Sequence, residues 1–253
     1  MNASPTVRRP LSLVAVLWPL VFAACGRVPG QFEILNDQVP QISANSCSIP
    51  VDPTVYQGEG TLDISIVRSD FESAYFVFPL IENNLPRSSS AGSIDPNEIQ
   101  LSGFQVDIAP IGSLPPPSIQ ALFDGGPQVH YQIPWSGGIG SGGGQLSAVV
   151  AAFPVALAQN LAAVGGIGAV PSLTVDLTIE ALGTTNSGTH MQSDPFHFPV
   201  HVCSGCLVAG VAPCASVAGT ITIGNTCNPA QDLPIDCCTD NGALICPPPV
   251  AAQ

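Results

Sequence analysis

The chain has 253 residues, of which only 5 are basic and 18 are acidic, and its net charge at pH 7 is −13. Nucleic-acid backbones are bound by Lys and Arg side chains that neutralise phosphates, so this balance excludes a nucleic-acid-binding protein. The acidic residues are scattered along the sequence and match no calcium-binding loop, so we interpret them as a solubilising surface.

The first 24 residues have the three parts of an export signal. Arg8-Arg9 forms a basic start, residues 11–22 are apolar, and Ala23-Ala24 supplies small residues before Cys25. A membrane-spanning helix needs about 20 apolar residues, whereas residues 11–24 number fourteen and include a proline. We therefore predict a cleaved signal over residues 1–24.

The segment Ala23-Ala24-Cys25-Gly26 resembles a lipobox, the processing site of bacterial lipoproteins. The resemblance implies that Cys25 becomes the first residue and carries acyl chains such as palmitate, through which the protein partners with a membrane. Two or three chains anchor a protein stably. Because Gly26 is not the aspartate that retains enteric-type lipoproteins at the inner membrane, the resemblance implies the outer membrane or the cell surface. Ordinary cleavage after Ala23, which would give a secreted protein, is the alternative.

Removal of the signal leaves three arginines, no lysine and all 18 acidic residues, a net charge of −15. Changes in composition then divide the chain into three parts. We assign residues 25–40 to an acylated N-terminus and tether, residues 41–202 to a folded body and residues 203–253 to a cysteine-rich tail.

The body has the patterns of β-structure. Apolar and polar side chains alternate, as in half-buried strands, over four segments: 62–66, 104–108, 129–133 and 173–179. Residues 75–78 form a more continuous apolar run, and Pro79 after them predicts an edge or a bulge. Asn186-Ser187-Gly188 predicts a hairpin connection.

Residues 154–164 are the exception, because a proline at the start, an Ala- and Leu-rich interior and a Gly165-Gly166 stop predict a short helix. About seven strands joined by Pro- and Gly-rich loops predict an all-β fold. We expect an immunoglobulin-like two-sheet sandwich in the broad architectural sense, with one short helix, followed by a disulfide-rich loop tail.

Two histidines lie near the end of the body, in residues 196–203. Strand periodicity places His197 and His201 on the same face. Four residues at about 3.3 Å each separate their backbones by about 13 Å, which is too far for one metal ion. We interpret them as solvent-facing residues of an edge strand.

Cys203-Ser204-Gly205-Cys206 has the spacing of a zinc knuckle or of a thioredoxin-type redox motif. It ends a predicted strand instead of opening a helix, and no second CxxC occurs in the chain. We therefore favour a structural disulfide here, with metal binding and redox activity as the alternatives.

Without Cys25 the chain has an even number of cysteines, which in an exported protein predicts a disulfide framework without fixing its pairing. The eight cysteines are Cys47, Cys203, Cys206, Cys214, Cys227, Cys237, Cys238 and Cys246. The seven in the tail cannot all pair among themselves, so Cys47 is predicted to bridge to the tail, with Cys203 or Cys206 as the favoured partner.

Residues 138–143 formally match the dinucleotide-binding pattern GxGxxG, but no βαβ pattern surrounds them. We interpret them as a flexible surface loop of glycine and serine. No catalytic, cofactor-binding or metal-binding residue is assigned from the sequence, and no cofactor is predicted.

The chain also resembles, over residues 1 to about 246, cell-surface lipoproteins of GC-rich bacteria such as myxobacteria, in which a phenylalanine-proline strand precedes a CxxC and a tail with vicinal cysteines. The resemblance implies no activity. We expect a binding or structural role, with a protein or glycan partner left open. An exported enzyme whose site forms only in the fold is the less favoured alternative, and a redox or metal-handling module using Cys203 and Cys206 is another.

Overall fold

The computed structural model describes residues 30–43, 46–52, 54–88, 94–168, 173–217 and 221–247. The strands in this part of the chain are β1 (Phe32–Gln38), β2 (Gln41–Ser43), β3 (Ser46–Ser48), β4 (Tyr56–Gln57), β5 (Gly60–Asp63), β6 (Tyr75–Val77), β7 (Pro79–Asn83), β8 (Ile99–Ile111), β9 (His130–Ile139), β10 (Gly144–Ser147), β11 (Val150–Phe153), β12 (Leu173–Thr185), β13 (His190–Gln192), β14 (Phe196–Cys203), β15 (Val208–Pro213), β16 (Ile235–Asp240) and β17 (Ala243–Ile245). The helices are α1 (Pro117–Gln120) and α2 (Val155–Val164), and a 3-10 turn covers Cys214–Ser216.

The larger sheet of the sandwich has the strand order β5-β14-β12-β8-β9, with β13 paired to the end of β12. Its two longest strands, β8 and β12, run antiparallel over their whole length. β5 is parallel to β14. The prediction of an all-β sandwich is confirmed.

The opposite layer consists of two smaller sheets, β10-β7-β1-β4 and β11-β6. β1 contacts β12 and β14, and β11 contacts β8, so both small sheets pack on the larger one. Pro79 begins β7, where the chain passes from one small sheet to the other, but the predicted edge was wrong because β7 lies between β10 and β1. The irregularity in the pairing of β7 with β1 lies in β1, between Ile34 and Asn36.

The core lies between the two layers, and the alternation of the long strands decides which side chains enter it. In β12 the predicted residues Leu173, Val175, Leu177 and Ile179 are buried, and the same alternation continues to Thr185. Their neighbours on the other face are half-buried and polar. Complete burial of such a side chain contributes about 1.5–3 kcal/mol, so a register shift of one residue would be costly.

The predicted short helix is confirmed as α2. Pro154 is its N-cap residue, and the chain leaves the helix at Gly165, whose φ of 72° suits a residue without a Cβ atom. Leu157, Ala158 and Leu161 form its buried face. The predicted hairpin is also present, because Asn186-Ser187-Gly188 connects β12 to β13.

The sandwich begins earlier in the chain than the sequence suggested. β1 lies within residues 25–40, the predicted tether, and it is an inner strand between β7 and β4. Phe32 and Ile34 are buried in the core, but Asp37 and Gln38 are buried too. The strand was not predicted because these two polar residues interrupt the alternation of apolar and polar side chains.

The tail packs on the body and has its own three-stranded sheet, β15-β16-β17. It also extends the larger sheet, because Leu62 of β5 forms a bridge with Gln231. Backbone hydrogen bonds from Asp63 to Ala230 (2.9 Å) and from Asp232 to Thr61 (3.0 Å) complete this contact. The outer edge of β5 is therefore covered by residues 230–232.

All eight cysteines outside the signal and lipobox lie in disulfides: Cys47–Cys227, Cys203–Cys206, Cys214–Cys238 and Cys237–Cys246. The prediction that Cys47 bonds to the tail is confirmed. The prediction of Cys203 or Cys206 as its partner was wrong, since these two bond to each other. The vicinal pair Cys237-Cys238 bonds to two different partners because successive side chains of a strand point to opposite faces.

Candidate binding groove

Four polar side chains from distant parts of the chain meet where the tail joins the body. Tyr75 donates a hydrogen bond to Asp232, at 2.9 Å from each carboxylate oxygen. The side-chain nitrogen of Gln57 donates to Asp37 at 2.8 Å and lies 3.5 Å from Asp232. Asp37 and Tyr75 have no exposed surface. One amide nitrogen thus lies between two carboxyl groups in a buried cluster.

The protonation of this cluster is shifted by its surroundings. Burial, partly opposed by hydrogen bonds from Phe78 and Gln57 and reinforced by the charge of Asp232, raises the pKa of Asp37 to about 7. Burial also raises the pKa of Asp232 and, together with the two nearby carboxylates, that of Tyr75. Asp37 therefore holds its proton close to neutral pH.

The same region fixes the backbone of β6 through side chains. The amide of Gln231 accepts a hydrogen bond from Phe76 N (2.9 Å) and donates one to Phe76 O (3.3 Å), as a neighbouring strand would. Phe78 N donates to the carboxylate of Asp37. Asn228 donates to the carbonyl groups of residues 73 and 74. Side chains of β1 and the tail thereby hold the strand that carries Phe76 and Phe78.

Phe76 and Phe78 form part of a groove of about 410 Å³ that opens beside this strand. The groove lies between β9, which is an edge of the larger sheet, and the β11-β6 sheet, and the Cys47–Cys227 disulfide lines it as well. Its lining residues are Cys47, Ile49, Glu72, Phe76, Phe78, Ile133, Pro134, Trp135, Val149, Ala151, Thr226 and Cys227.

Trp135 packs against two of its neighbours. The edge of its ring system meets Phe104, with ring centroids 6.2 Å apart and planes at 75°. The indole also lies over Gly137, where a Cβ atom would come within 2.4 Å of the ring. Trp135 therefore presents to the groove a half-buried aromatic surface whose restricted rotation lowers the entropy cost of binding.

Glu72 is the single charged residue among the residues that line the groove. Its side chain is exposed, and it makes no hydrogen bond or ion pair within the described part of the chain. The nearest arginine in sequence, Arg68, is already paired with Asp70, through contacts of 2.6 and 2.9 Å. The groove thus combines apolar walls with an uncompensated negative charge.

The loop that contains the CxxC is organised around a buried carboxylate. Asp63, which has no exposed surface, accepts hydrogen bonds from Gly205 N (2.7 Å) and Leu207 N (2.9 Å). It also accepts bonds from the backbone N and the hydroxyl of Ser65. The carboxylate thereby satisfies three backbone donors that burial would otherwise leave unpaired.

Asp63 also brings together the one group of three metal-ligating side chains in the described residues, with Cys203 and Cys206. Their ligand atoms lie within 4.8 Å of one another, but the two sulfur atoms are bonded as a disulfide. Metals bind the thiolate form, so metal binding would first require reduction. An external thiol would attack the more accessible Cys206 and release Cys203 as a buried thiolate. That thiolate would lie next to the carboxylate of Asp63, and the repulsion between the two negative charges opposes the reaction.

The histidines lie on the outer face of the larger sheet, as predicted from strand periodicity. The prediction of an edge strand was wrong, because β14 lies between β5 and β12. His197 pairs with Asp176 at 2.6 Å and His201 with Glu59 at 3.1 Å. These are separate pairs, and no third metal ligand joins them among the described residues.

The GxGxxG match at residues 138–143 forms the turn between β9 and β10. It is a turn at the surface, as interpreted, with the glycines at 138, 140, 142 and 143 exposed, and several hydrogen bonds hold it. Ser141 is buried, donates to Asp95 at 2.5 Å and accepts from Arg87 at 3.0 Å. The backbone of Gly143 donates to Asn83 at 2.9 Å. These residues leave no open phosphate-binding loop here.

Cys25, the predicted lipidation site, lies outside the described residues, as does the predicted signal. Within the described ranges, no helix has the length and apolar character needed to cross a membrane. The chain matches no protein-family model and no curated protein.

The sequence did not predict the groove, although its strand pattern could have pointed to one lining residue. Continuing the alternation of residues 129–133 by two positions reaches Trp135, a large aromatic residue on an edge strand. Glu72 and Thr226 carry no local signal, because they meet the groove only through long-range packing.

Proposed function

We propose that the protein is an exported lipoprotein, anchored at the outer membrane or cell surface by acyl chains on Cys25, and that it binds a ligand in the groove. The observation that carries the binding role is the groove itself. It offers two aromatic side chains, Trp135 and Phe76, beside an unpaired carboxylate. Concave sites with mostly apolar walls and few polar groups are typical of ligand-binding sites.

The disulfides support export. Disulfides persist mainly in oxidising compartments outside the cytosol, and four of them use all eight cysteines after Cys25. Because the other eight cysteines pair with one another, no cysteine of the chain is left to pair with Cys25. This agrees with its proposed acylation.

The distribution of titratable groups supports binding more than catalysis. Two of the groups with the strongest pKa shifts, Asp37 and Tyr75, have no exposed surface and make structural contacts: Tyr75 bonds to Asp232 of the tail, and Asp37 to Phe78 and Gln57 of the body. In the groove, Glu72 stands without a second acid or a histidine among the lining residues. Acid–base chemistry commonly needs a positioned partner for the catalytic group.

Anchoring is tested by expressing the full chain in a bacterium with an outer membrane and comparing it with Cys25→Ser. We expect the unaltered protein in the membrane fraction, with an intact mass equal to residues 25–253 plus acyl groups and four disulfides. The Cys25→Ser protein should lack the acyl mass. Recovery of the unaltered protein in the soluble fraction, with no acyl mass, would show that it is secreted instead.

A further inference from the structure

The ligand class follows from what lines the groove, given the proposed binding role. Its one formal charge is the carboxylate of Glu72, which has no cation of its own because Arg68 is bound to Asp70. No lysine or arginine is among the lining residues. A bound cation would supply the missing partner, whereas a bound anion would meet only repulsion.

The aromatic residues favour the same charge. The face of an indole or phenyl ring attracts cations through the ring quadrupole, and tryptophan does so most strongly. Trp135 packs against Phe104 and lies over Gly137, and these contacts restrict its rotation. Phe76 adds a second ring on a strand whose backbone is fixed by Gln231.

The remaining walls select an apolar body for the ligand. Ile49, Ile133, Pro134, Val149 and Ala151 offer aliphatic surface. Polar atoms also contribute to the walls, and Glu72 and Thr226 are the lining residues with polar side chains.

We infer that the groove binds a small organic cation: an ammonium or guanidinium group placed near Glu72 and the rings of Trp135 and Phe76, on an apolar body that covers the aliphatic walls. A volume of about 410 Å³ lies in the range of small-molecule sites. The strongly negative protein would also concentrate cations at its surface.

Trp135 provides a direct readout. The chain has two tryptophans, and the other, Trp18, lies in the predicted signal. The emission of the processed protein therefore reports on the groove. Three probes share one skeleton and differ in their end group: 4-phenylbutylammonium, 4-phenylbutanol and 4-phenylbutyrate. Each is titrated at equal ionic strength, and the dissociation constant is taken from the change in Trp135 emission.

We expect saturable binding of 4-phenylbutylammonium, with a dissociation constant about two- to fivefold lower than that of 4-phenylbutanol, and the weakest binding for 4-phenylbutyrate. Glu72→Gln should remove most of the preference for the ammonium. Because Glu72 is exposed, this variant should fold normally. Asp124→Asn, which removes an equally exposed acid that does not line the groove, is the matched control and should retain the preference.

Two results would overturn the inference. If 4-phenylbutanol binds as tightly as the ammonium, or if Glu72→Gln keeps the preference, the groove is an apolar binding site without charge selection, and the proposed binding role still stands. If none of the three probes changes the emission of Trp135, the cation inference fails, and the binding role loses its main support. Membrane anchoring is tested separately, by the fractionation and mass measurements on the unaltered protein and Cys25→Ser.

Discussion

Asp37 is a carboxyl group without exposed surface whose neighbours are all distant in sequence. Burial is the largest influence on its pKa and raises it to about 7. An aspartate in an unfolded chain has a pKa of about 3.9. Between these two values the folded protein binds a proton that the unfolded chain releases, so its stability depends on pH.

The sign of this dependence is opposite to that of a salt-bridged aspartate. Stability should be highest at about pH 4, fall as the pH rises towards about 7, and then level off. The loss has an upper limit on the order of 4 kcal/mol. Asp37→Asn should reduce this slope, as measured by urea unfolding across this range, and Asp232, whose pKa is raised in the same direction, should account for a slope that remains. Asp124→Asn, at an exposed site, should keep the full slope. Stability of the unaltered protein that rises from pH 5 to pH 8 would contradict this account.

Some contacts of single residues could not be predicted from the sequence. The spacing of Cys203 and Cys206 is visible in the sequence, and a structural disulfide was the favoured interpretation. The carboxylate that organises their loop belongs to Asp63, about 140 positions earlier, and no local pattern connects the two sites. Buried polar partners of this kind are specified by the tertiary fold alone.

At the level of strands and helices, local patterns predicted the elements that have one clean apolar face. β12 was found from the alternation of residues 173–179, and α2 from its proline start and glycine stop. β1 was missed because it buries Asp37 and Gln38. The tail strands were missed because disulfides, more than apolar periodicity, hold them in place.

The two long strands β8 and β12 each contain an irregularity that the sequence marks only with glycine. The register between β8 and β9 shifts between Leu101 and Gly103, and that between β8 and β12 shifts at Gly183. At Gly103 the backbone of β9 approaches so closely that a Cβ atom would lie 2.4 Å from the carbonyl oxygen of Ile133. β-Bulges commonly change the twist of a strand and so redirect its side chains.

Gly103→Ala should therefore force β8 and β9 apart. We expect a loss of about 1–3 kcal/mol in the free energy of unfolding, because the clash is with backbone and cannot be relieved by a side-chain rotation. Gly140→Ala is the matched control, since a Cβ atom there would meet nothing within 4 Å. Chemical denaturation of the two variants measures the difference. Equal stabilities would show that the strands can separate at little cost.

At the scale of the whole molecule, one of the four disulfides joins distant parts of the chain. The Cys47–Cys227 disulfide spans 180 positions, whereas Cys203–Cys206 spans 3. On the chain-entropy model a cross-link stabilises by restricting the unfolded chain, and a longer loop gives a larger effect. The long link joins the first part of the sandwich to the tail beside the groove.

The double variant Cys47→Ser/Cys227→Ser should consequently lose more stability than Cys203→Ser/Cys206→Ser. Loop-closure entropy predicts a loss in the free energy of unfolding of about 5 kcal/mol for the long loop and about 2 kcal/mol for the short one. The long-link variant should also bind any groove ligand more weakly, because its wall is no longer fixed. Urea unfolding of the two variants compares them. The reverse order of stabilities would show that burial of Cys203 outweighs loop length.

The early start of β1 sets how far the protein can extend from its proposed anchor. Between an acylated Cys25 and the first strand residue, Phe32, lie only six residues. Seven peptide steps at about 3.3–3.6 Å each span at most about 25 Å, which is less than the thickness of a lipid bilayer with its headgroups. An anchor at Cys25 would therefore keep the folded body next to the headgroups. A ligand would then have to come to the membrane surface to be bound, and a partner in the same membrane would be within reach.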